Sequence, residues 1–221
     1  MGCCHRGCGR LGGRHRREAS VPYDVVVLTS RRIFDRAGCS AIRFTSLETP
    51  VGSIFIGVTD AGVCDVSLSE ASEQSYRAKF LRRVPEVRRD DIGLVAVAHQ
   101  VQAYFSGALT RFELPLDLRH VTPFTVRVLR ETRKIQFGQL TSYGAIAVRI
   151  GSLGSSRAVG GALGRNPVPI IIPCHRVISA DGGIGGFTGG LRAKWVLLGL
   201  EGHEFTEPAG DCRPSGSVPR A

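Results

Sequence analysis

The alternation of apolar and polar residues predicts a small α/β unit in the first half of the chain. From Ala41 onward the runs AIRFTSL, GSIFIGVT and GVCDVSL are separated by the turn sequences PVG and DAG. This pattern is typical of a three-stranded antiparallel meander. Two helices are predicted over 71–83 and 91–105, and RFELPLDL at 111–118 is predicted to be a further extended piece.

The second predicted helix has one approximate apolar face, formed by Ile92, Val95, Ala96, His99, Val101 and Phe105. A histidine on such a face is more often a satisfied core residue than a ligand, and we interpret His99 in that way. Nothing in this first unit resembles a reactive centre.

The second half of the chain predicts a series of helices. Thr122 is a good N-cap, Pro123 suits the first helical position, and Gly138 is expected to end this helix. The segments QLTSYGAIAVRIG and SSRAVGGALGRNP then predict two short helices joined by the turn GSLG, which is typical of a helix-turn-helix. LRAKWVLLGLEGHEF predicts a last amphipathic helix that ends near Glu201.

The second helix of this pair contains two interior glycines, Gly160 and Gly161, each of which costs about 1 kcal/mol relative to alanine. Small residues on a helix allow another surface to approach closely. That surface is either a neighbouring helix of the same domain or a DNA backbone, with Arg157 near the helix start as the one long side chain. The sequence favours neither alternative.

Charge separates the two halves of the chain. Residues 121–205 carry 10 basic and 4 acidic side chains, whereas residues 37–120 carry 9 and 10. A basic domain beside a neutral one suggests a polyanionic partner, and a solvated basic face is the alternative. With 43% hydrophobic residues and no apolar run near the ~18 residues of a membrane span, the composition is that of a soluble globular protein.

The cysteines and the two ends of the chain add little to the fold. Seven cysteines without a CxxC pair indicate a reducing, cytosolic protein. Residues 1–38 are interpreted as a disordered Arg/Gly-rich tail, because the group Cys3, Cys4, His5 and Cys8 is followed by no second ligand pair at zinc spacing. Residues 207–221 are predicted to be a second disordered tail.

The stretch PVPIIIPCHRV places one cysteine and one histidine at the end of an apolar run. Thiol chemistry requires a depressed pKa or an adjacent base. Neighbours in an extended chain point to opposite sides, so a direct bond between Cys174 and His175 needs a bend, which Pro173 could hold. Glu201 is either a solvated carboxylate or a partner for His175.

At these residues the chain resembles a known family. The segments TPFTVRVLRETRKIQFGQLTSYG, SSRAVGGALGRNPVPIIIPCHRVI and GGFTGGLRAKWVLLGLEGH closely resemble the O6-alkylguanine-DNA alkyltransferases, and SLETPVGSIFIGVTDAG does so more loosely. The resemblance implies an α/β fold: a small ribonuclease H-like N-terminal domain at 39–120 and a mostly helical DNA-binding and alkyltransferase domain with a helix-turn-helix at 121–206.

The resemblance also implies a suicide repair protein that moves an alkyl group from O6 of guanine, with O4 of thymine as a second candidate, to Cys174. His175 matches the family's base, which acts through a water molecule and is oriented by Glu201. Asn166 matches the residue that ties the turn around the active-site strand. Tyr143 matches the tyrosine that donates a proton to the leaving guanine. We therefore expect an ionised sulfur at Cys174.

The implied partner is double-stranded DNA, bound by a monomer through the minor groove with the damaged guanine flipped out and Arg157 filling the vacancy. The expected DNA-binding residues are Ser155, Arg157, Ala158, Gly160, Gly161 and Arg165. The expected pocket residues are Pro173, Val177, Gly186, Phe187 and Thr188. The apolar run before Cys174 is expected to be a strand that delivers the sulfur into a dry pocket.

The chain departs from the family pattern in two places. Many relatives have tyrosine where this chain has Phe187, and some bind zinc near Cys39 and Cys64, for which no histidine partners align here. We expect no metal, no cofactor and no membrane contact, and a cytoplasmic, nucleoid or nuclear location. The alternatives are a non-catalytic helix-turn-helix sensor of alkylated DNA and a cysteine hydrolase that uses Cys174 and His175.

Overall fold

The computed structural model describes residues 41–68 and 70–204, so the predicted tails at 1–38 and 207–221 and the cysteine group near the N-terminus lie outside it. We number the strands and helices in chain order. The strands are β1 (Ala41–Thr49), β2 (Gly52–Thr59), β3 (Gly62–Ser67), β4 (Glu86–Arg89), β5 (Thr141–Ser142) and β6 (Val177–Ile178). The helices are α1 (Glu73–Leu81), α2 (Val95–Phe105), α3 (Pro123–Arg133), α4 (Tyr143–Arg149), α5 (Ser156–Leu163) and α6 (Leu191–Leu200).

The N-terminal unit is built on a four-stranded sheet with the order β3-β2-β1-β4. β1, β2 and β3 form the predicted antiparallel meander, in which Arg43 lies opposite Val58. β4, which the sequence pattern did not indicate, pairs in parallel with β1 and places Val87 opposite Ile42. The predicted extended piece at 111–118 pairs with β3 through a single bridge between Leu116 and Val63.

The predicted apolar face of α2 is wrong. The helix begins at Val95, four residues later than expected, and His99 is exposed rather than buried. Ile92 is 90% exposed, whereas Leu94, Val101 and Tyr104 are buried. Leu94, Val101 and Tyr104 are spaced seven and then three residues apart. In a helix with 3.6 residues per turn such positions lie on the same side, and this is the side that packs.

The helical unit begins as predicted and then differs in one boundary. The Thr122 side chain accepts a hydrogen bond from the backbone N–H of Thr125, which confirms the N-cap, and Pro123 occupies the first turn of α3. The helix ends at Arg133 instead of reaching Gly138, which adopts a left-handed φ of 72° in the connection that follows. α4 and α5 form the predicted pair of short helices, joined through a turn in which Gly151 has a φ of 68°.

The apolar run before Cys174 is not the strand that we expected. Ile170 has a φ of 74°, and the backbone N–H of Ile172 donates to the carbonyl of Val168, so the chain turns back on itself. Residues Cys174–Arg176 then form a single 3₁₀ turn ahead of β6. Prolines at 167, 169 and 173 remove the backbone donors that a strand in this position would need.

The two units share one hydrophobic core. Buried side chains of β2 and β3, including Ile54 and Val66, belong to the same cluster as Leu129, Ile146 and Leu197 of the helical unit. The N–H of Val66 also donates to the carbonyl of Pro167 at 2.7 Å across the junction. The sheet unit followed by the helical unit confirms the predicted two-part α/β architecture. Within the described residues, no helix has the length and apolar character that crossing a membrane would require.

The turn before β3 provides a test of the fold. Gly62 has a φ of 135°, and a Cβ at this position would overlap the carbonyl of Pro115, whose oxygen accepts from the N–H of Val63. We expect Gly62→Ala to lower the free energy of unfolding by roughly 2–4 kcal/mol in urea titrations. Gly52→Ala is the matched control: Gly52 also has a positive φ, 99°, but has open space around it. An equal loss in both variants would contradict the described packing of 115–117 on β3.

Candidate active site

Asn166 organises the turn that carries the candidate nucleophile. Its amide nitrogen donates to the carbonyl of Ile172 at 3.0 Å and to Sγ of Cys174 at 3.2 Å, while its amide oxygen accepts from the N–H of Val168. Asn166 is itself buried. One side chain therefore joins both ends of the loop 168–172 and holds the sulfur in place.

Cys174 lies in an apolar environment, with 4% of its surface exposed. Burial raises the pKa of its thiol to about 11, although the hydrogen bond from Asn166 and the charge of Lys194 oppose the shift. Burial therefore favours the neutral thiol over the thiolate in this structure, which opposes the ionised sulfur that we expected. A desolvated anion would need a cation in contact, and the nearest contacts are a neutral amide and backbone N–H groups.

Glu201 is the partner of His175, and not a solvated carboxylate. Its Oε1 lies 2.8 Å from Nε2 of His175. Arg176 donates to both carboxylate oxygens, and the N–H of Gly138 donates to Oε2 at 3.1 Å. Burial alone would raise the pKa of Glu201, but the hydrogen bonds from His175 and Arg176 outweigh it and lower that pKa to about 2. The carboxylate is therefore an anion near neutral pH.

The imidazole of His175 is oriented by this carboxylate. Because Oε1 of an ionised Glu201 can only accept, Nε2 must carry the hydrogen and Nδ1 must hold the lone pair. Nδ1 is buried and has no hydrogen-bond partner among the described residues. Burial lowers the pKa of His175 in spite of the opposing carboxylate, so the ring is a neutral base with one free nitrogen.

Two residues of the site were missed in the sequence. Tyr104, in the last turn of α2, donates its hydroxyl hydrogen to Oε1 of Glu201 at 2.7 Å. The interpretation that the N-terminal unit holds nothing related to a reactive centre is therefore wrong. Arg176 is 5% exposed and also donates to the carbonyl of Ile135 at 2.6 Å. Arg176 could have been found from the sequence, because it follows an apolar run and a buried charged residue must have a partner.

Lys194 is the third residue that the sequence did not indicate. It is fully buried in α6, and its Nζ donates to the carbonyls of Val177 and Ile184 at 2.7 and 2.5 Å and to that of Gly186 at 3.3 Å. Burial lowers its pKa to about 8, although the charge of Cys174 opposes this shift. Its side chain fastens the glycine-rich loop to β6.

Tyr143 lies between this loop and helix α5. A Cβ at Gly185 would come within 2.6 Å of the Tyr143 hydroxyl, so the loop backbone approaches the ring closely. Burial raises the pKa of Tyr143, the charge of Cys174 adds to the rise, and a hydrogen bond with the backbone of Gly186 opposes it. The phenol of Tyr143 is therefore neutral near physiological pH.

The predicted pocket residues fall into two groups. Pro173 and Val177 are buried, while Gly186 and Thr188 are exposed. The half-buried ring of Phe187 lies edge-on to His175 with centroids 6.3 Å apart, and the Thr188 hydroxyl donates to the carbonyl of Gly164 at 3.3 Å. A cavity of about 420 Å³ lies in the cleft between the units, with Lys79, Arg83 and Arg165 among its lining residues, and Cys174 does not line it.

The predicted DNA-binding residues lie together around the first turn and the exposed side of α5. Arg157, Ala158, Gly161 and Arg165 are exposed, and Ser155 and Gly160 are half-buried. A Cβ at Gly160 would lie 3.7 Å from the Tyr143 ring, and a Cβ at Gly161 would lie 3.6 Å from the Arg165 side chain. These are ordinary contact distances, so the packing described here does not require glycine at either position.

Of the two cysteines considered for a metal site, the structure describes Cys64. Cys64 is buried in the sheet, and Cys39 lies outside the described residues. Over residues 41–68 and 70–204, no three side chains among histidine, cysteine, aspartate and glutamate form a group that could hold a metal ion.

The buried carboxylate predicts a loss of stability in acid. Glu201 contributes stability above its unfolded pKa of 4.5, and this contribution disappears as the pH falls from there towards 2, because the unfolded chain takes up the proton first. We expect Glu201→Gln to lower the free energy of unfolding by roughly 3 kcal/mol near neutral pH, and by progressively less below about pH 4. Urea titrations at several pH values measure the difference, with Glu113→Gln at an exposed position as control. A loss independent of pH would contradict the ion pair.

Models of a known family match most of the chain. The ribonuclease-like domain of 6-O-methylguanine DNA methyltransferase matches residues 42–118, and the DNA binding domain of the same family matches residues 123–203.

Curated relatives and solved structures agree with these models. Methylated-DNA–protein-cysteine methyltransferases from Mycolicibacterium paratuberculosis and Saccharolobus islandicus are 38% and 35% identical over 160 residues, which cover 72% of this chain and 92% and 95% of theirs. The O6-methylguanine methyltransferase of Mycobacterium tuberculosis superposes with a TM-score of 0.64 at 36% identity, over 72% of this chain and 92% of that one. The same organism's protein in complex with DNA gives 0.62 at 37% identity, over 73% and 92%. The chain described here belongs to the O6-methylguanine DNA methyltransferase family.

Proposed function

We propose that this protein repairs DNA by moving a methyl or larger alkyl group from O6 of guanine to the sulfur of Cys174, once per protein molecule. The observation that carries the proposal is the cysteine held by Asn166 next to a histidine whose free nitrogen is buried and whose other nitrogen is fixed by Glu201. A thioether is chemically inert, so the acceptor is not regenerated.

The first step is activation of a neutral thiol. Because burial raises the pKa of Cys174 to about 11, a base must remove the thiol proton before the sulfur attacks. Nδ1 of His175 is the base, acting through an intervening water molecule, and Glu201 stabilises the imidazolium that forms. The short-lived thiolate in a dry environment is a strong nucleophile.

The second step is a single displacement at the alkyl carbon. The C–S bond forms as the C–O6 bond breaks, and the electron pair of that bond stays with the guanine. Tyr143, whose phenol is neutral, donates its proton to the guanine ring. The tyrosinate then regains a proton from His175, which had taken it from the thiol. In sum, the hydrogen leaves sulfur for guanine and the alkyl group leaves guanine for sulfur.

DNA is proposed to bind to the helix-turn-helix, with α5 in the minor groove. The two glycines of this helix face no contact that requires them, so close approach to the sugar-phosphate backbone is the better explanation for their presence. Arg157 is exposed and forms no hydrogen bond or ion pair with the described residues. It is proposed to fill the base stack when the damaged guanine is flipped towards Cys174, which costs a few kcal/mol. The protein is proposed to bind DNA as a monomer.

Substitution of the nucleophile tests the proposal directly. We expect wild-type protein incubated with O6-methylguanine duplex to gain one methyl mass, located at Cys174 by peptide mapping. Cys174→Ala should gain none and still bind the duplex, since the sulfur is buried and contributes no exposed surface. Cys64→Ala, at the other buried cysteine of the described residues, should be methylated as the wild type is.

Two other outcomes distinguish the alternatives. Binding to alkylated DNA with no adduct in the wild type would identify a sensor. Multiple turnover without an adduct would identify a hydrolase. Either result would overturn the proposed function.

The role of Arg157 predicts a difference between two substrates. Arg157→Ala should slow alkyl transfer from lesion-containing duplex by about 5- to 30-fold, because a flipped base is no longer replaced in the stack. Transfer from the free O6-alkylguanine base should be unchanged, since nothing needs to be flipped. Arg82→Ala, an exposed arginine at the end of α1, is the control of equal charge. Equal slowing on both substrates would contradict a role in flipping.

A further inference from the structure

Tyr104 belongs to the N-terminal unit but ends in the catalytic network of the helical unit. It lies in the last turn of α2, and its ring is fully buried. The ring packs against Phe112 of its own unit and Phe137 of the other, with centroids 5.3 and 6.1 Å apart. Aromatic contacts from both sides therefore fix the direction in which the hydroxyl points.

The Tyr104 hydroxyl can donate its hydrogen only to the carboxylate of Glu201. Its oxygen lies 2.7 Å from Oε1 of Glu201 and 3.3 Å from Nε2 of His175. Burial and then the charge of Glu201 raise the pKa of Tyr104, so the phenol keeps its hydrogen. That hydrogen is donated to Oε1, which leaves the phenol oxygen facing Nε2 only as an acceptor. Both groups facing Nε2 are thus acceptors, and the ring must carry its hydrogen there.

We propose that Tyr104 is a positioning residue for alkyl transfer, which holds Glu201 and fixes the tautomer of His175 that leaves Nδ1 free for the thiol proton. The inference rests on the proposed function and extends it, because it makes activation of the nucleophile depend on contact between the two units. Among the described residues, no hydrogen bond joins Tyr104 to Cys174 or to α5, so its effect is proposed to pass through His175.

Removal of the hydroxyl has a predictable electrostatic sign. The charged and titratable groups around the pair are Arg176 and Cys174 on the 3₁₀ turn and Lys194 on α6, and they are unchanged by the substitution. Without the phenol, Oε1 has one donor fewer and binds the His175 N–H more strongly. The imidazolium is stabilised, so the ring stays protonated to a higher pH and is a poorer acceptor of the thiol proton below that pH.

The test is the pH profile of single-turnover methyl transfer at saturating O6-methylguanine duplex. We expect the acid limb of Tyr104→Phe to move upward by roughly half a pH unit to one unit, so that it reacts about three- to tenfold more slowly on that limb, with the affinity for DNA unchanged. Tyr76→Phe is the matched control, a fully buried tyrosine of the same unit within the aromatic cluster of Phe44 and Phe55. An unmoved acid limb in Tyr104→Phe would overturn the proposal.

Two further measurements separate positioning from packing. Phe112→Leu loosens the contact with the Tyr104 ring but keeps its hydroxyl, so it should lower stability and leave the acid limb in place. Nitrogen NMR of the His175 ring in DNA-free wild type should show the hydrogen on Nε2. A hydrogen on Nδ1 would refute the proposal even if Tyr104→Phe failed to fold. A wild type that forms no adduct would refute the proposed function, and the NMR result would still decide the role of Tyr104.

Discussion

The structure of the site depends on one buried carboxylate and on what surrounds it. A carboxylate without water is tolerated only where charged and hydrogen-bonding partners replace the solvent, and Glu201 has four such partners: Tyr104, Gly138, His175 and Arg176. These partners come from the N-terminal unit, the connection after α3 and the 3₁₀ turn. One ion therefore fixes the relative positions of three segments that lie far apart in the chain.

The chemistry of the sulfur follows from the same apolar surroundings. A permanently ionised thiolate would be costly in this location, because burial raises the pKa of Cys174. The protein then needs a base that is already oriented and already neutral, and His175 meets both conditions. In the proposed mechanism the nucleophile is thus generated only during the reaction, which suits a protein whose one acceptor cysteine must survive unmodified until a lesion arrives.

Local signals in the sequence were sufficient for the meander, the cap at Thr122 and the paired short helices, because alternation, turn residues and capping act over a few residues. The family resemblance supplied the cysteine, the histidine, Asn166 and Glu201. Tyr104 could not be found in this way, since its partner Glu201 is 97 residues away and the pairing exists only after the two units pack. The strand expected before Cys174 was wrong for a different reason: an apolar run indicates burial, but the turn at Ile170 is held by the nearby side-chain amide of Asn166, which a hydrophobic pattern does not show.

The central claim is that Cys174 rests as a protonated thiol and is ionised only through His175 and Glu201. The ultraviolet absorbance of thiolate, measured against pH as the difference between DNA-free wild type and Cys174→Ser, tests it most directly. The account predicts no Cys174 thiolate signal until about pH 10 or above. A full thiolate signal already present at about pH 7 would contradict it, because the sulfur would then be activated without the buried base.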